Sequence, residues 1–489
     1  MASTGPATGS SGTLLETHSI DVVPETARHG RPRNQFTLWF GANMQITAVV
    51  TGALAVTFGA DALWGILGLL AGNLLGGAVM ALHSAQGPKL GLPQMISSRA
   101  QFGVYGAVIP LILVILMYLG FASTGAILAG QAVNTITGSS NVPLGIIVFG
   151  AITAVVATLG YKYIHLLGRI ATVSGLVGFT YLAVRLFTQY DVGALFGTTA
   201  FSAASFLTAV ALSAGWQLTY GPYVADYSRY LPADTPAKST FIATFSGSVI
   251  GSQWSMSFGA LLAALPAAAD GSGFLDSQVG FLAQLGGGGI FAVLIALVVF
   301  VGKLTVNTLN AYGGFMSILT SISAFTGKSK IRQLSRILYI CGFILLSVLI
   351  AIMASSDFLG NFKNLVLLLL MVFIPWSAIN LVDYYLISRE RVDVAALYDP
   401  NGHYGRWNKV ALISYAIGIA VQIPFLSQSL YTGPIATAMS GTDISWLVGL
   451  LVTAGIFYPW AKRAAVAKRI QRAAEPDLPV STASRPSAT

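Results

Sequence analysis

The chain has 489 residues, 55% of them hydrophobic and 9% charged, with a mean hydropathy of +0.73 and a net charge of +9. A soluble chain carries about 25% charged residues, so a water-exposed globular surface is excluded and the sequence reads as an all-α integral membrane protein. Its 53 glycines and 11% aromatic residues suit a helical bundle with close helix contacts, and its one cysteine, Cys341, excludes a disulfide scaffold.

Residues 1–35, rich in Ser, Thr, Gly and Ala at the start and without a signal-peptide core, are expected to form a disordered cytoplasmic tail. One bilayer crossing needs roughly 20 apolar residues. Uncharged windows of that kind predict twelve spans within a transmembrane region 36–461, at about 36–60, 61–85, 104–134, 142–160, 166–187, 200–221, 238–265, 282–312, 334–354, 362–387, 408–428 and 443–461. Residues 462–489 form a basic tail containing AKRAAVAKRIQR. If the N-terminus is cytoplasmic, all but Arg185, Lys303 and Lys363 of the 26 Lys and Arg residues fall in cytoplasmic segments, which predicts a multi-pass protein of the cell membrane with both termini inside. The basic excess then faces anionic lipid, and a nucleic-acid partner is not expected.

Polar residues deep in lipid are costly, which makes them the first functional candidates. Span 1 is interrupted at LWFGANMQITAVV by Gly41, Asn43, Gln45 and Thr47. Span 6 is interrupted at LSAGWQLTYGPY by Ser213, Gly215, Gln217, Gly221 and Pro222. Matched breaks free backbone groups that lipid cannot satisfy and point to an inverted repeat with a midplane binding site, although glycine there also suits close packing. In span 8, Lys303, Asn307 and Asn310 recur at i, i+4, i+7 and share a face, with Gly302, Thr305 and Val306 adjacent. A buried lysine without a neighbouring carboxylate must find neutral acceptors or an Asp from another helix, and two carboxamides match the edge of a planar heterocycle. Tyr118 and Trp216 are candidates to sandwich a flat ring, and Asp226 with Arg229 could gate the cytoplasmic side. No P-loop, HExxH, GxSxG or CxxC occurs, Gly286 to Gly289 reads as a flexible lead-in to span 8, and His83 and His165 do not form a metal pair. Neither an enzyme, a cofactor nor a channel filter is expected.

The segments GWQLTYGPYVADYSRYLP at 215–232, NTLNAY at 307–312, INLVDYYLISRER at 379–391 and HSAQGPKLGLPQMISSRAQFG at 83–103 resemble the nucleobase:cation symporter-1 family, most closely its purine-cytosine permease branch. The resemblance, over roughly 30–460, implies a twelve-helix transporter with a leucine-transporter-like five-plus-five inverted repeat, two extra C-terminal helices and alternating access. It implies a nucleobase substrate, cytosine or a purine, with allantoin, hydantoin or thiamine as alternatives. It assigns substrate contacts to Gln45, Tyr118, Gly215, Trp216, Asn307 and Asn310, although Ala122 departs from the glutamine of some relatives. It places a coupling cation at Gly41, Met44, Gly302 and Thr305. There Val306 lacks the second hydroxyl of a sodium site and Lys303 adds a charge, so proton coupling is expected over sodium.

Overall fold

The computed structural model describes residues 20–159, 161–266, 273–327 and 332–474, without the side chains of 159, 161–166 and 467–474. Among these residues the structure is helical, with an isolated bridge between Ser427 and Thr432. The N-terminal half runs α1 (Arg33–Asn43), α2 (Ile46–Thr57), α3 (Ala62–Ser84), three short turns α4 (Gly87–Leu90), α5 (Gln94–Ser97) and α6 (Arg99–Phe102), then α7 (Val108–Thr137), α8 (Val142–Leu159), α9 (Tyr161–Gln189), α10 (Ala203–Leu218) and α11 (Val224–Ser228). The second half runs α12 (Ala237–Ala264), α13 (Gln278–Leu285), α14 (Gly289–Thr326), α15 (Gln333–Ala354), α16 (Phe358–Leu381), α17 (Lys409–Ala420), α18 (Pro434–Ala438) and α19 (Ser445–Ala474).

Each expected window falls on a helix, but among the described residues helix length and apolar composition alone assign five crossings, or six when α1 and α2, bent by 61°, count as one. The helices of windows 4, 6 and 11 are shorter than a full crossing. One apolar stretch, Gln333–Ile387, contains both α15 and α16; its 55 residues span about 80 Å as helix, ample for two passages. Apolar side chains face outward along these helices, among them Val173 and Val177 on α9 and Leu345 and Met353 on α15, the last 82% exposed. Such a surface is stable only against lipid.

Two expectations are corrected. Span 8 begins at Gly289 and continues to Thr326, beyond the expected 282–312. Gly287 and Gly288 hold positive φ between α13 and α14, and Gly289, also at positive φ, opens α14. The pair Gly313–Gly314 lies within this helix, with Tyr118 and Phe343 packed onto it: a Cβ there would lie 2.5 Å and 2.6 Å from their rings. The tail assigned to 1–35 is also too long. Residues 1–19 lie outside the described residues, but Ile20 and Val23 are buried, Val23 N–H donates to Gly91 O at 2.9 Å, and His29 N–H donates to Tyr230 O at 2.6 Å. Residues 462–474 continue α19, and the rest of the basic tail lies outside the described residues.

The centre of the bundle is packed backbone to backbone. A Cβ on Gly259 of α12 would sit 1.8 Å from Val49 O of α2, and one on Gly52 would sit 1.9 Å from Met256 O. Gly72 of α3 meets Val210 O and Ser213 Oγ of α10 at 2.1 Å in the same sense. Without a hydrophobic drive between helices in lipid, this close approach supplies the packing energy. Gly259→Leu and Gly72→Leu are each expected to destabilise by about 1–3 kcal/mol or more through overpacking, whereas Gly342→Ala, with open space around it, should melt like the parent in detergent.

Candidate functional site

The site grows from two interruptions. In the first, Met44 (φ −82°, ψ 65°) and Gln45 (φ −148°, ψ 157°) leave the helix between α1 and α2. Between Asn43 and Ala55 every residue is buried except Gln45, which is half-buried. In the second, Thr219 to Tyr223 unwind between α10 and α11, at the expected Gly221–Pro222.

Asn43, fully buried, joins the breaks. Its Oδ1 accepts from Trp216 Nε1 at 2.7 Å, Ser252 Oγ at 2.8 Å and Tyr220 OH at 3.1 Å. Its Nδ2 donates to Trp39 O at 2.7 Å and Ser248 Oγ at 3.2 Å, and its backbone carbonyl accepts from Ser255 Oγ. The network continues through Ser248 to Gln217 Oε1, and from Gln217 Nε2 to Ser252 and Asn73. The two glutamines beside the breaks therefore differ: Gln217 is fully buried and consumed inside the bundle, whereas Gln45 is half-buried. Asn43 was visible in the sequence as a polar interruption, but nothing local marked it as the junction; Ser248, Ser252 and Ser255 of α12 carried no motif.

Trp216 is held by Asn43 and meets Phe121 of α7 edge to face at 5.8 Å. Tyr118, one turn earlier on α7, lies against Tyr223 at 5.4 Å and over Gly313. Phe121 is thus a ring that sequence reasoning passed over. Gly215 is packed on α16, where a Cβ would be 3.1 Å from Val366.

On α14 the shared face divides. Lys303, 2% exposed, donates to Gln45 Oε1 at 2.8 Å and, closer still, to Thr47 Oγ1. Among the described residues no carboxylate lies within ion-pair distance of it, so the buried lysine has found neutral acceptors. Asn310, about 20° around the helix from Lys303, is buried with its Nδ2 unpartnered. Asn307 turns to another interface: Nδ2 donates to Ala122 O at 2.8 Å, and it lines a small cavity with Phe149, Thr153 and Ser347 on α8 and α15. The residues expected around a cation gather along α9. Its Gly168, Thr172 and Gly175, at i, i+4, i+7, approach Thr305, Gly41 and Met44 O respectively. Gly302 borders open space, and Thr305 Oγ1 donates to Val301 O.

Asp226 accepts from the Gln94 backbone N–H at 2.8 Å, while Arg229 donates to Asp226 O and to Asp21 O. Both tie α11 to neighbouring segments. His83 lies between Ser377 and Gln94 side chains and stacks on Trp376; the side chain of His165 is outside the described residues.

An apolar bundle whose two broken helices meet at a buried polar junction, with a half-buried glutamine beside it, has the architecture of a membrane transporter. Residues 22–449 match the family described as permease for cytosine/purines, uracil, thiamine, allantoin, and the chain belongs to that family. It is 39% identical over 449 residues to the putative purine-cytosine permease YxlA of Bacillus subtilis (strain 168), covering 91% of this chain and 95% of that one. It is 27% identical over 473 residues to the purine-cytosine permease fcyB of Emericella nidulans, covering 90% and 87%. Among solved structures it is similar to the inward-facing conformation of Mhp1 (TM-score 0.73, 23% identity, 93% of this chain and 95% of that one). It is also similar to Mhp1, a nucleobase-cation-symport-1 family transporter, closed with bromovinylhydantoin bound (TM-score 0.70, 21% identity, 93% and 97%). The protein is a multi-pass membrane permease and not an enzyme.

Replacing Asn43 with Leu would strand the Trp216, Tyr220 and Ser252 donors, each at about 1–3 kcal/mol. Thermal unfolding in detergent is expected to fall sharply for Asn43→Leu and less for Asn43→Asp, which keeps the accepting oxygen.

Proposed function

We propose that this permease is a secondary active symporter that imports a nucleobase, cytosine or a purine, together with a cation, a proton in preference to sodium, by alternating access. The observation that carries the reading is the meeting of Gln45, the half-buried residue of the span-1 break, with Lys303 of α14. Gln45 and Asn310 supply the hydrogen-bonding groups for the base, Asn310 through a buried amide nitrogen that has no protein partner. Trp216, aimed by Asn43, supplies a ring face, with Tyr118 on the neighbouring helix; Gly215 lets α10 approach α16 behind it. Asn307 supports the site from α14 through Ala122.

The cation assignment rests on the surroundings of Gly41, Met44, Gly302 and Thr305. A hard cation needs several oxygens and no adjacent ammonium, whereas Val306 offers no hydroxyl and Lys303 brings its own positive group to the break. Twelve crossings in a five-plus-five inverted repeat with two further helices, and both termini in the cytoplasm of a cell-membrane protein, complete the proposal. The matched breaks and the distribution of Lys and Arg support them.

In proteoliposomes, labelled cytosine uptake should follow an inward proton gradient and change less than about twofold when sodium is replaced, the change expected when no sodium site contributes. Uptake that requires an inward sodium gradient and ignores pH would overturn the proton assignment. Gln45→Ala and Asn310→Ala should each weaken base binding by about 10-fold, the scale of one buried hydrogen bond with its partner left unpaired. A competitor panel of allantoin, hydantoin and thiamine against cytosine tests the substrate class, which the hydantoin-bound relative keeps open.

A further inference from the structure

Building on the reading of Gln45 as a substrate contact, we propose that Lys303 and the Ala42 carbonyl lock the orientation of the Gln45 carboxamide and so make the site select bases that present a hydrogen-bond acceptor to it. A carboxamide has an oxygen that only accepts and a nitrogen that only donates, and the two ends have nearly the same shape. Left alone, such a group can rotate by half a turn and offer a ligand either chemistry. Its surroundings decide which end points where.

Here the surroundings leave one answer. Gln45 Oε1 lies 2.8 Å from Lys303 Nζ, and a charged lysine has only donors. Gln45 Nε2 lies 3.1 Å from Ala42 O, which can only accept. Half a turn would set N–H groups against an ammonium and oxygen against oxygen, losing both bonds and adding two repulsions. Thr47 completes the clamp: its hydroxyl accepts from Lys303 and points at Gln45 Oε1 at 3.4 Å. The extended backbone of Gln45 at the break holds the side chain in this corner, with Lys303 arriving from 258 residues away.

The clamp occupies the oxygen end and one of the two hydrogens on Nε2. The second Nε2 hydrogen is what Gln45 has left to offer, at the one residue between Asn43 and Ala55 that is not fully buried. A base carrying a ring nitrogen lone pair or a carbonyl oxygen there gains a hydrogen bond. A base carrying N–H there meets another N–H, an unpaired contact that a ligand pocket rejects strongly. Lys303 is in this sense a specificity-determining residue that acts through Gln45.

The test measures equilibrium binding to the purified protein, so that it does not depend on coupling. Two pairs of bases of equal size exchange acceptor for donor at a ring nitrogen and its neighbour: cytosine with uracil, and adenine with hypoxanthine. The parent protein should discriminate within at least one pair by about 10-fold or more, and Lys303→Met should compress that ratio to about threefold or less by freeing the amide to rotate. Gln45→Glu, which keeps an acceptor for Lys303 but has no N–H, should weaken the preferred base by about 10-fold or more and needs no change at Lys303. A folded Lys303→Met protein with an unchanged ratio, or Gln45→Glu binding the preferred base as the parent does, overturns the lock. Gln45→Ala separates the two levels: if it binds both members of each pair like the parent, Gln45 is not a substrate contact and the underlying reading fails as well.

Discussion

One carboxamide oxygen, Asn43 Oδ1, receives three hydrogen bonds, and the arrangement of the rest follows from it. Trp216 and Tyr220 come from one broken span and Ser252 from α12, while Asn43 itself ends the first half of the other broken span. Two helix breaks in an apolar bundle would each be unfavourable alone, because lipid satisfies none of the freed groups. Joined through one fully buried residue, they become a single polar unit in which nearly every donor has an acceptor, and the low dielectric around it strengthens each bond.

That unit can exist only where backbones come very close. Serines and asparagines have short reach, so α12 must lie directly on α1 and α2, and glycine makes this possible at Gly52 and Gly259. The same logic brings α3 onto α10 at Gly72. Glycine content and polar connectivity are therefore one feature: small residues set the spacing and the buried side chains bridge it. Lys303 and Gln45 extend the principle to α14, where a charged group is accommodated by neutral oxygens.

At one end of the bundle a second polar chain ties the connecting segments to the helices. Gln86 donates to Asn380, Asn380 to Gln101 and Gln101 to Asp383, so the short turns between α3 and α7 are fastened to α16 and its terminal π-turn. Gln94 links His83 to Asp226, and Arg28 donates to Val23 O and Pro88 O, which draws the N-terminal segment into the same assembly. These bonds hold α11, the far half of the second break, against the short turns, so motion of that half is mechanically connected to the connecting segments.

Composition alone determined that lipid is the solvent, because 9% charged residues cannot cover a wet surface. Local patterns placed the helices and located both breaks, since glycine, proline and isolated polar residues act within a turn or two of where they stand. They also singled out Lys303 as a buried charge. What they could not supply was direction. The pairing of Asn43 with Trp216 spans 173 residues and that of Lys303 with Gln45 spans 258, and no periodicity carries such information. Tertiary packing decided that Gln217 is used up inside the network while Gln45, half-buried at its break, meets Lys303. It also turned Asn307 away toward α8 and α15, although it shares a helix face with Lys303. The physical reason is that a helix face is wide enough to meet two neighbours at once, and which neighbour each side chain meets is set by where the other helices lie.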